Sequence, residues 1–350
     1  MNEEIDFSEC EREPLRTLGL IQSHGCLLAF GHDRKVLHVS ENARHYFGVG
    51  PEEILHRELS QFCSAQNLAA VQGFLPALKN GVVERFAWED SSQPCRAWLH
   101  VSHDLFVLEL ESRDQADEIQ PEAAATALRV FLQSAAGANS VQVLAQQSAD
   151  AFASIAAYDR VMIYQFHEDW SGQVIAEHRT PPAEPYQGLR YPATDIPSQA
   201  RQLYILNRLR VIRDAHALPT AILTASGSET VDLTHAVLRS MSQYHIEYLR
   251  NMNVSATLTA SLMVNGRLWG LIACHHLTSK AAPAWVRDAA TLIAETVSAR
   301  IAALEKRNAD RGGSEGVPAA QSSGGRDHFG GEDCRGSLLW QEPASHAVRD

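Results

Sequence analysis

Val141, Leu144, Ser148, Phe152 and Ile155 recur at helical spacing, with Asn139-Ser140 as a cap in front of them. The pattern then changes period. "RVMIYQF" and "GQVIAEH" read as two strands parted by a polar turn, and "TLTASLMVNGRLWGLIACHH" reads as a hairpin with Asn265-Gly266 at its tip. Val286, Ala290, Ile293, Val297, Ile301 and Leu304 mark one stripe of a closing helix. Residues 126–305 are therefore expected to form a sheet flanked by helices.

An earlier unit spans residues 15–112. "LIQSHGCLLAF" is apolar around a His-Gly pair, "GHDRKVLHVS" reads as a turn and a strand, and Pro51 with two acids behind it starts a short helix. "AWLHVSHDLFVLELES" alternates as paired strands would. The expected class is α+β, with two modules joined by a polar linker at 113–125. Residues 306–350 hold eight of the 21 glycines and have no apolar period, so disorder is expected there.

Composition narrows the function. An apolar fraction of 45% is ordinary for a globular chain, and a formal charge of −12 argues against nucleic acid or an anionic membrane as the main partner. No apolar run has the roughly 20 residues of a membrane span, and the acidic N-terminus is no secretory signal. Six scattered cysteines without a C-x-x-C pair resemble neither a zinc site nor a disulfide framework, so a cytoplasmic location with reduced thiols is expected. One of them, Cys10, stands in the polar arm "MNEEIDFSECEREP" (residues 1–14), which cannot bury it.

Three patches carry candidate chemistry. "RYPATDIPSQARQLYILNRLRVIRD" sets two prolines around Thr194-Asp195-Ile196, followed by a predicted helix bearing Arg201, Tyr204, Arg208, Arg210 and Arg213. Either this is a solvated basic face, or the arginines hold a carboxylate or phosphate with their forked donors. "LRSMSQYHIEYLRNM" puts Arg239 near His245, Tyr244 and Tyr248. At the hairpin end, His275 and His276 point to opposite faces of a strand, so they do not share a metal; one faces a pocket.

"CEREP", "IQSHG", "YDRVMIYQF", "YPATDIPSQARQLY", "LRSMSQYHIEYLRNM" and "LWGLIACHH" occur in order over both units. In these segments the chain resembles the chromophore-binding core of a bacterial phytochrome. The resemblance implies a PAS domain followed by a GAF domain, each an antiparallel sheet flanked by helices, with the N-terminal arm threaded through a GAF loop. It implies a red-light photoreceptor module that binds biliverdin IXα and signals by isomerising it. Cys10 would form a thioether with the A-ring vinyl group, a thiolate being the suitable soft nucleophile. Arg210 and Arg239 would pair the propionates, helped by Tyr204, Thr257 and Thr259. The Asp195 carbonyl, flanked by Ile196 and Pro197, would accept from the pyrrole N–H groups, with His245 beside it. His275 would hydrogen-bond the D-ring carbonyl, and Met162, Tyr164, Tyr191 and Tyr248 would line that ring's cavity.

The hairpin offers a geometric check. A two-residue turn would pair Val264 with Arg267 and place Thr257 and Thr259 opposite in facing to His275; a common pocket therefore predicts a three-residue connection with a glycine bulge. Departures from the family pattern fall at Ser23 for proline, Thr194 for serine, and Gln243-Tyr244 before His245. The PHY domain, with its P-R-x-S-F tongue, and an output kinase are not recognisable, so no enzymatic activity is expected. Incomplete photoconversion and near-infrared fluorescence are. A homodimer through the stripe at 286–304 is a further expectation. The competing readings are a GAF-type cyclic-nucleotide sensor using Arg208 and Arg210, and a hydrolase using Cys274 with an adjacent histidine.

Overall fold

The structure, a computed structural model, describes residues 13–89, 94–113 and 120–314, with side chains described up to residue 310. Cys10, residues 114–119 of the linker and residues 315–350 of the predicted tail lie outside the described residues.

The first part of the chain supplies strands β1 (Leu20–Ile21), β2 (Gly25–Phe30), β3 (Val36–Ser40), β4 (Val83–Trp88), β5 (Cys95–Ser102) and β6 (Leu105–Ser112). The second part supplies β7 (Arg160–Phe166), β8 (Gly172–Arg179), β9 (Arg190–Tyr191), β10 (Leu209–Ile212), β11 (Thr220–Thr224), β12 (Ala256–Val264) and β13 (Arg267–His276). Two antiparallel sheets result, ordered β1-β11-β3-β2-β6-β5-β4 and β10-β12-β13-β7-β8-β9. These are the two expected α+β modules.

In the first sheet, Leu28, Leu99, Leu108 and Leu110 pack with Ile54, Leu59 and Val71 from the short helices α1 (Arg44–Phe47), α2 (Pro51–Ile54) and α3 (Ala65–Phe74) and the turn between them. The alternate positions Leu27, Ala29 and Val107 are buried too, against Leu233, Ala236 and Leu238. A strand covered on both faces reads as a continuous apolar run, which explains "GCLLAF". The second cover comes from the later part of the chain.

Backbone pairing repeats this interlock. Strand β11, from the second unit, lies between β1 and β3 of the first sheet. The arm is bonded on its other side as well: Leu233 N–H donates to the Arg16 carbonyl at 2.7 Å, and Ser240 N–H to that of Leu20 at 3.0 Å. A Cβ at Gly25 would overlap the Leu238 side chain and the Leu110 carbonyl, so glycine lets Leu238 pack closely on β2.

The second sheet buries Val161, Ile163, Leu258, Ala260, Ile272 and Cys274 against helices α4 (Glu122–Gly137), α5 (Val141–Ala156) and, further along, α8 (Ala284–Ser314). Ser140 caps α5, its hydroxyl accepting from Val143 N–H at 3.3 Å. The other two helices are α6 (Ser198–Leu206) and α7 (Gln243–Asn251).

Five expectations need correction. The hairpin connection has two residues, Asn265 and Gly266, both at positive φ, with Val264 paired to Arg267. The extra residue is Trp269, inside β13, because Met263 pairs with Leu268 and Leu262 with Gly270. The arginine-bearing helix stops at Leu206; Arg210 lies on β10, where the Leu-Arg-Val-Ile alternation pairs with β12. Helix α4 begins at Glu122, after Pro121, within the segment read as linker. Helix α8 runs to Ser314, beyond residue 305. The α8 stripe from Val286 to Leu304 packs on the chain's own sheet and α5, so it is not a free dimer face.

Candidate functional site

The bulge at Trp269 decides which residues share the remaining face of the second sheet. With it, Thr257 pairs with His275 and Thr259 with Ala273, and paired residues point the same way. Continuing across the sheet, Arg210 pairs with Thr259, His275 with Arg160 and Ala273 with Met162. One face therefore carries Arg210, Thr257, Thr259, His275, Arg160, Met162 and Tyr164, while Cys274 points into the helical core. Burial pushes the Cys274 thiol well above its usual range, which removes it as a nucleophile. His276 faces away from His275, with Nδ1 2.7 Å from Asp159.

Arg210 and Arg239 are both buried. The Nη2 group of Arg210 donates to the carbonyls of Arg239 and, at 3.1 Å, Ser240. Arg239 is placed by the arm, through a bridge to Ile21 and a bond from Nη1 to the Leu15 carbonyl at 3.5 Å. Arg210 Nη1 and Arg239 Nε have no hydrogen-bond partner among the described residues. Burial, and for Arg210 the neighbouring Arg239 charge, depress both: Arg210 falls well below the usual guanidinium range and Arg239 to about 10. Buried charges without an anion are costly. This donor set fits two carboxylates.

Tyr204, on α6, bonds to the Thr259 hydroxyl and lies near both arginines. His245 starts α7, where Ser242 accepts its backbone N–H at 3.1 Å; its ring stacks on Tyr248, with centroids 6.2 Å apart. Burial first, then Arg210 and Arg239, lowers His245 to about 4. Burial, Arg160 and His245 lower His275 to about 3. Both imidazoles are therefore neutral at physiological pH.

Beside these groups is an aromatic cluster. Met162, Tyr164, Tyr191, Ile196 and Tyr204 pack together, with the Tyr164 and Tyr191 rings 6.0 Å apart. Tyr164 lies over Gly172, where any Cβ would overlap its ring. Asp195 is half-buried in the turn before α6, its carboxyl raised by burial, and Pro197 is the buried N-cap of that helix.

Several supporting residues escaped the sequence reading. Arg201, read as part of an anion site, instead donates Nη1 to the carbonyls of Ala193 at 3.1 Å and Ile196 at 2.5 Å, fixing the Asp195 turn. Arg160 and Glu177 form a buried pair at 3.2 Å next to His275. Their signal was an arginine in step with Met162 and Tyr164 on an inward face. Glu13, the second acid of "CEREP", bonds Ser242 and the Gln243 backbone at the start of α7. Arg208 stands apart from Arg210, lining a groove of about 300 Å³ with Thr291 and Glu295. A cleft of about 480 Å³, lined by Gln22, His24, Arg213 and Ser240, contains Arg213 of the candidate arginines but none of the residues expected to hold the pigment.

Residues 10–113 match the PAS fold family and residues 140–304 the GAF domain family. The chain is 37% identical over 313 residues to a bacteriophytochrome of Xanthomonas campestris pv. campestris, covering 86% of this chain and 48% of the relative. It is 36% identical over 314 residues to cyanobacterial phytochrome B of Nostoc sp., covering 86% and 41%. The chain thus spans about half or less of these relatives' length. Among solved structures, the chromophore-binding domain of Stigmatella aurantiaca phytochrome P1 matches with TM-score 0.76 and 35% identity over 83% of this chain and 98% of that one. The chromophore-binding domain of an unusual R. palustris bacteriophytochrome matches with TM-score 0.76 and 31% identity, covering 85% and 100%.

Proposed function

We propose, for a chain that belongs to the bacterial phytochrome family and carries its PAS and GAF units, that it is a light-sensing module holding biliverdin IXα on the open face of its second sheet. The observation that carries this reading is the pair of buried guanidiniums, Arg210 and Arg239, with unpartnered N–H groups beside an aromatic cluster. A linear tetrapyrrole presents two propionates and a flat conjugated body, the complement of that surface. Thr257, Thr259 and Tyr204 add hydroxyl donors on the propionate side. The Asp195 carbonyl, in the turn that Arg201 holds through the Ala193 and Ile196 carbonyls, accepts from the pyrrole N–H groups near His245, and surrounding acceptors favour a protonated pigment. His275 donates to the D-ring carbonyl, and Met162, Tyr164, Tyr191 and Tyr248 enclose the ring that light rotates.

Attachment falls to Cys10. The thiol adds across the A-ring vinyl: a sulfur–carbon bond forms, and the thiol proton ends on the neighbouring carbon. Glu13 anchors the arm at the start of α7, beside His245, and three residues back along an extended chain reach at most about 11 Å. The two-sided pairing of residues 16–22 supports an arm threaded through the loop of residues 213–240. A homodimer through the GAF helices would use their outer faces, where Val130 and Leu292 are exposed, rather than the buried α8 stripe.

The test is production with biliverdin. A pigment that survives denaturing electrophoresis as a zinc-fluorescent band, and is no longer covalent in Cys10→Ser, supports the reading. A protein that stays colourless with ample pigment refutes it.

A further inference from the structure

We propose that Arg160 is a positioning residue that fixes the tautomer of His275, keeping its single proton on Nε2. The inference rests on the reading above only in naming what that proton meets, the carbonyl of the pigment's terminal ring.

The guanidinium of Arg160 is held by an ion pair at Nε that does not make a hydrogen bond, by a hydrogen bond from Nη2 and by a ring contact. Its Nε lies 3.2 Å from Glu177 Oε1, its Nη2 donates to the Glu184 carbonyl at 2.5 Å, and its plane covers the Tyr186 ring with 3.7 Å to the centroid. Glu177 is itself held, accepting from Tyr186 N–H at 3.0 Å and Gln187 N–H at 3.2 Å. The remaining group, Nη1, lies 3.4 Å from Nδ1 of His275.

Guanidinium has five donors, no acceptor, and keeps its charge in proteins. A hydrogen on Nδ1 would point at another N–H, so Nδ1 must offer its lone pair. In a neutral imidazole the other nitrogen then carries the proton. Imidazolium is excluded by the same contact, and the Arg160 charge together with burial holds His275 neutral. Nε2 is left as a donor, and a carbonyl oxygen is the acceptor it suits. The direction of hydrogen bonding at the pigment is thus set by Arg160 through His275.

The experiment is nitrogen-resolved NMR on the apoprotein with isotopically labelled histidine and arginine, His275 being assigned by its loss in His275→Gln. The wild type is expected to show Nε2 protonated, with scalar coupling between Arg160 Nη1 and His275 Nδ1 across their hydrogen bond. Arg160→Met combined with Glu177→Gln, which leaves no unpaired carboxylate, is expected to gain an Nδ1-protonated population; Arg160→Lys, which keeps a cationic donor, is expected to retain the wild-type pattern. A wild-type proton on Nδ1, absent coupling, or an unchanged double variant overturns the proposal. If the double variant does not fold, the wild-type tautomer and coupling decide alone. Because no pigment is present, the outcome is independent of whether biliverdin binds.

Discussion

Arg239 and Arg210 hold two positive charges in the interior, and among the described residues neither makes an ion pair with a carboxylate: Asp232 acts on Arg239 only through its field, and Glu109, which acts on Arg210, is itself raised to about 7 by burial. The apoprotein therefore carries a strain that an anionic ligand relieves. Arg239→Gln is expected to leave the apoprotein as stable or more so in a denaturant titration, while weakening biliverdin binding roughly 10- to 100-fold, the loss of about 1.5–3 kcal/mol for a charge-assisted hydrogen bond. Unchanged affinity would contradict the propionate role. Glu111 gives a pH prediction. Burial would raise its pKa, but Arg287 and His24 outweigh it and bring it down to about 2 from the ordinary 4.5. A depressed carboxyl stabilises the fold above its unfolded pKa, and that stability is lost as pH falls from about 4.5 towards 2. Glu111→Gln should flatten the acid limb of a stability-against-pH curve. At this scale the sequence showed which residues carry donors and acids. It did not show that Arg201 serves a turn, or that Arg160 serves a histidine, because both contacts are tertiary.

The β12–β13 hairpin shows how an element converts one residue into a functional face. A common face for Thr257, Thr259 and His275 requires one extra residue in the hairpin, and the sequence points to the turn because a regular Asn-Gly hairpin gives the opposite facing. The turn is tight, as Asn-Gly favours, and the extra residue is Trp269. The signal was Gly270, a glycine inside a strand, where a Cβ would overlap the Tyr164 carbonyl; such glycines mark bulges and close approaches. Deleting Trp269 is expected to remove the bulge while leaving Leu262 opposite Gly270 and Thr257 opposite His275, so biliverdin binding in a titration followed by absorption is retained. Lost binding would contradict the view that the pairing of Thr257 with His275 sets the site. The end of α6 was misread for a related reason. The helix expected to carry Arg208, Arg210 and Arg213 ends at Leu206, because pairing of β10 with β12 wins over local propensity.

Across the whole molecule, both modules and their order were legible, because helix stripes and strand alternation are local. The interlock between them was not: β11 between β1 and β3 depends on contacts about 200 residues apart. Gln22 ties the two units, donating Nε2 to the Val211 carbonyl at 3.0 Å and accepting from Arg213 N–H at 3.0 Å, next to Arg210. Gln22→Ala is expected to cost about 1–3 kcal/mol by denaturant unfolding, since it leaves a buried donor and acceptor unmet, and to weaken pigment binding through Arg210. Under the proposed function, the arm joins fold to function by supplying the Cys10 thiol to a face built by the second half of the chain.

Peptide mass mapping after incubation with biliverdin tests that claim most directly. One added pigment on the peptide containing Cys10, absent in Cys10→Ser, is the predicted result. An adduct on any other cysteine, or none despite a coloured protein, would contradict it.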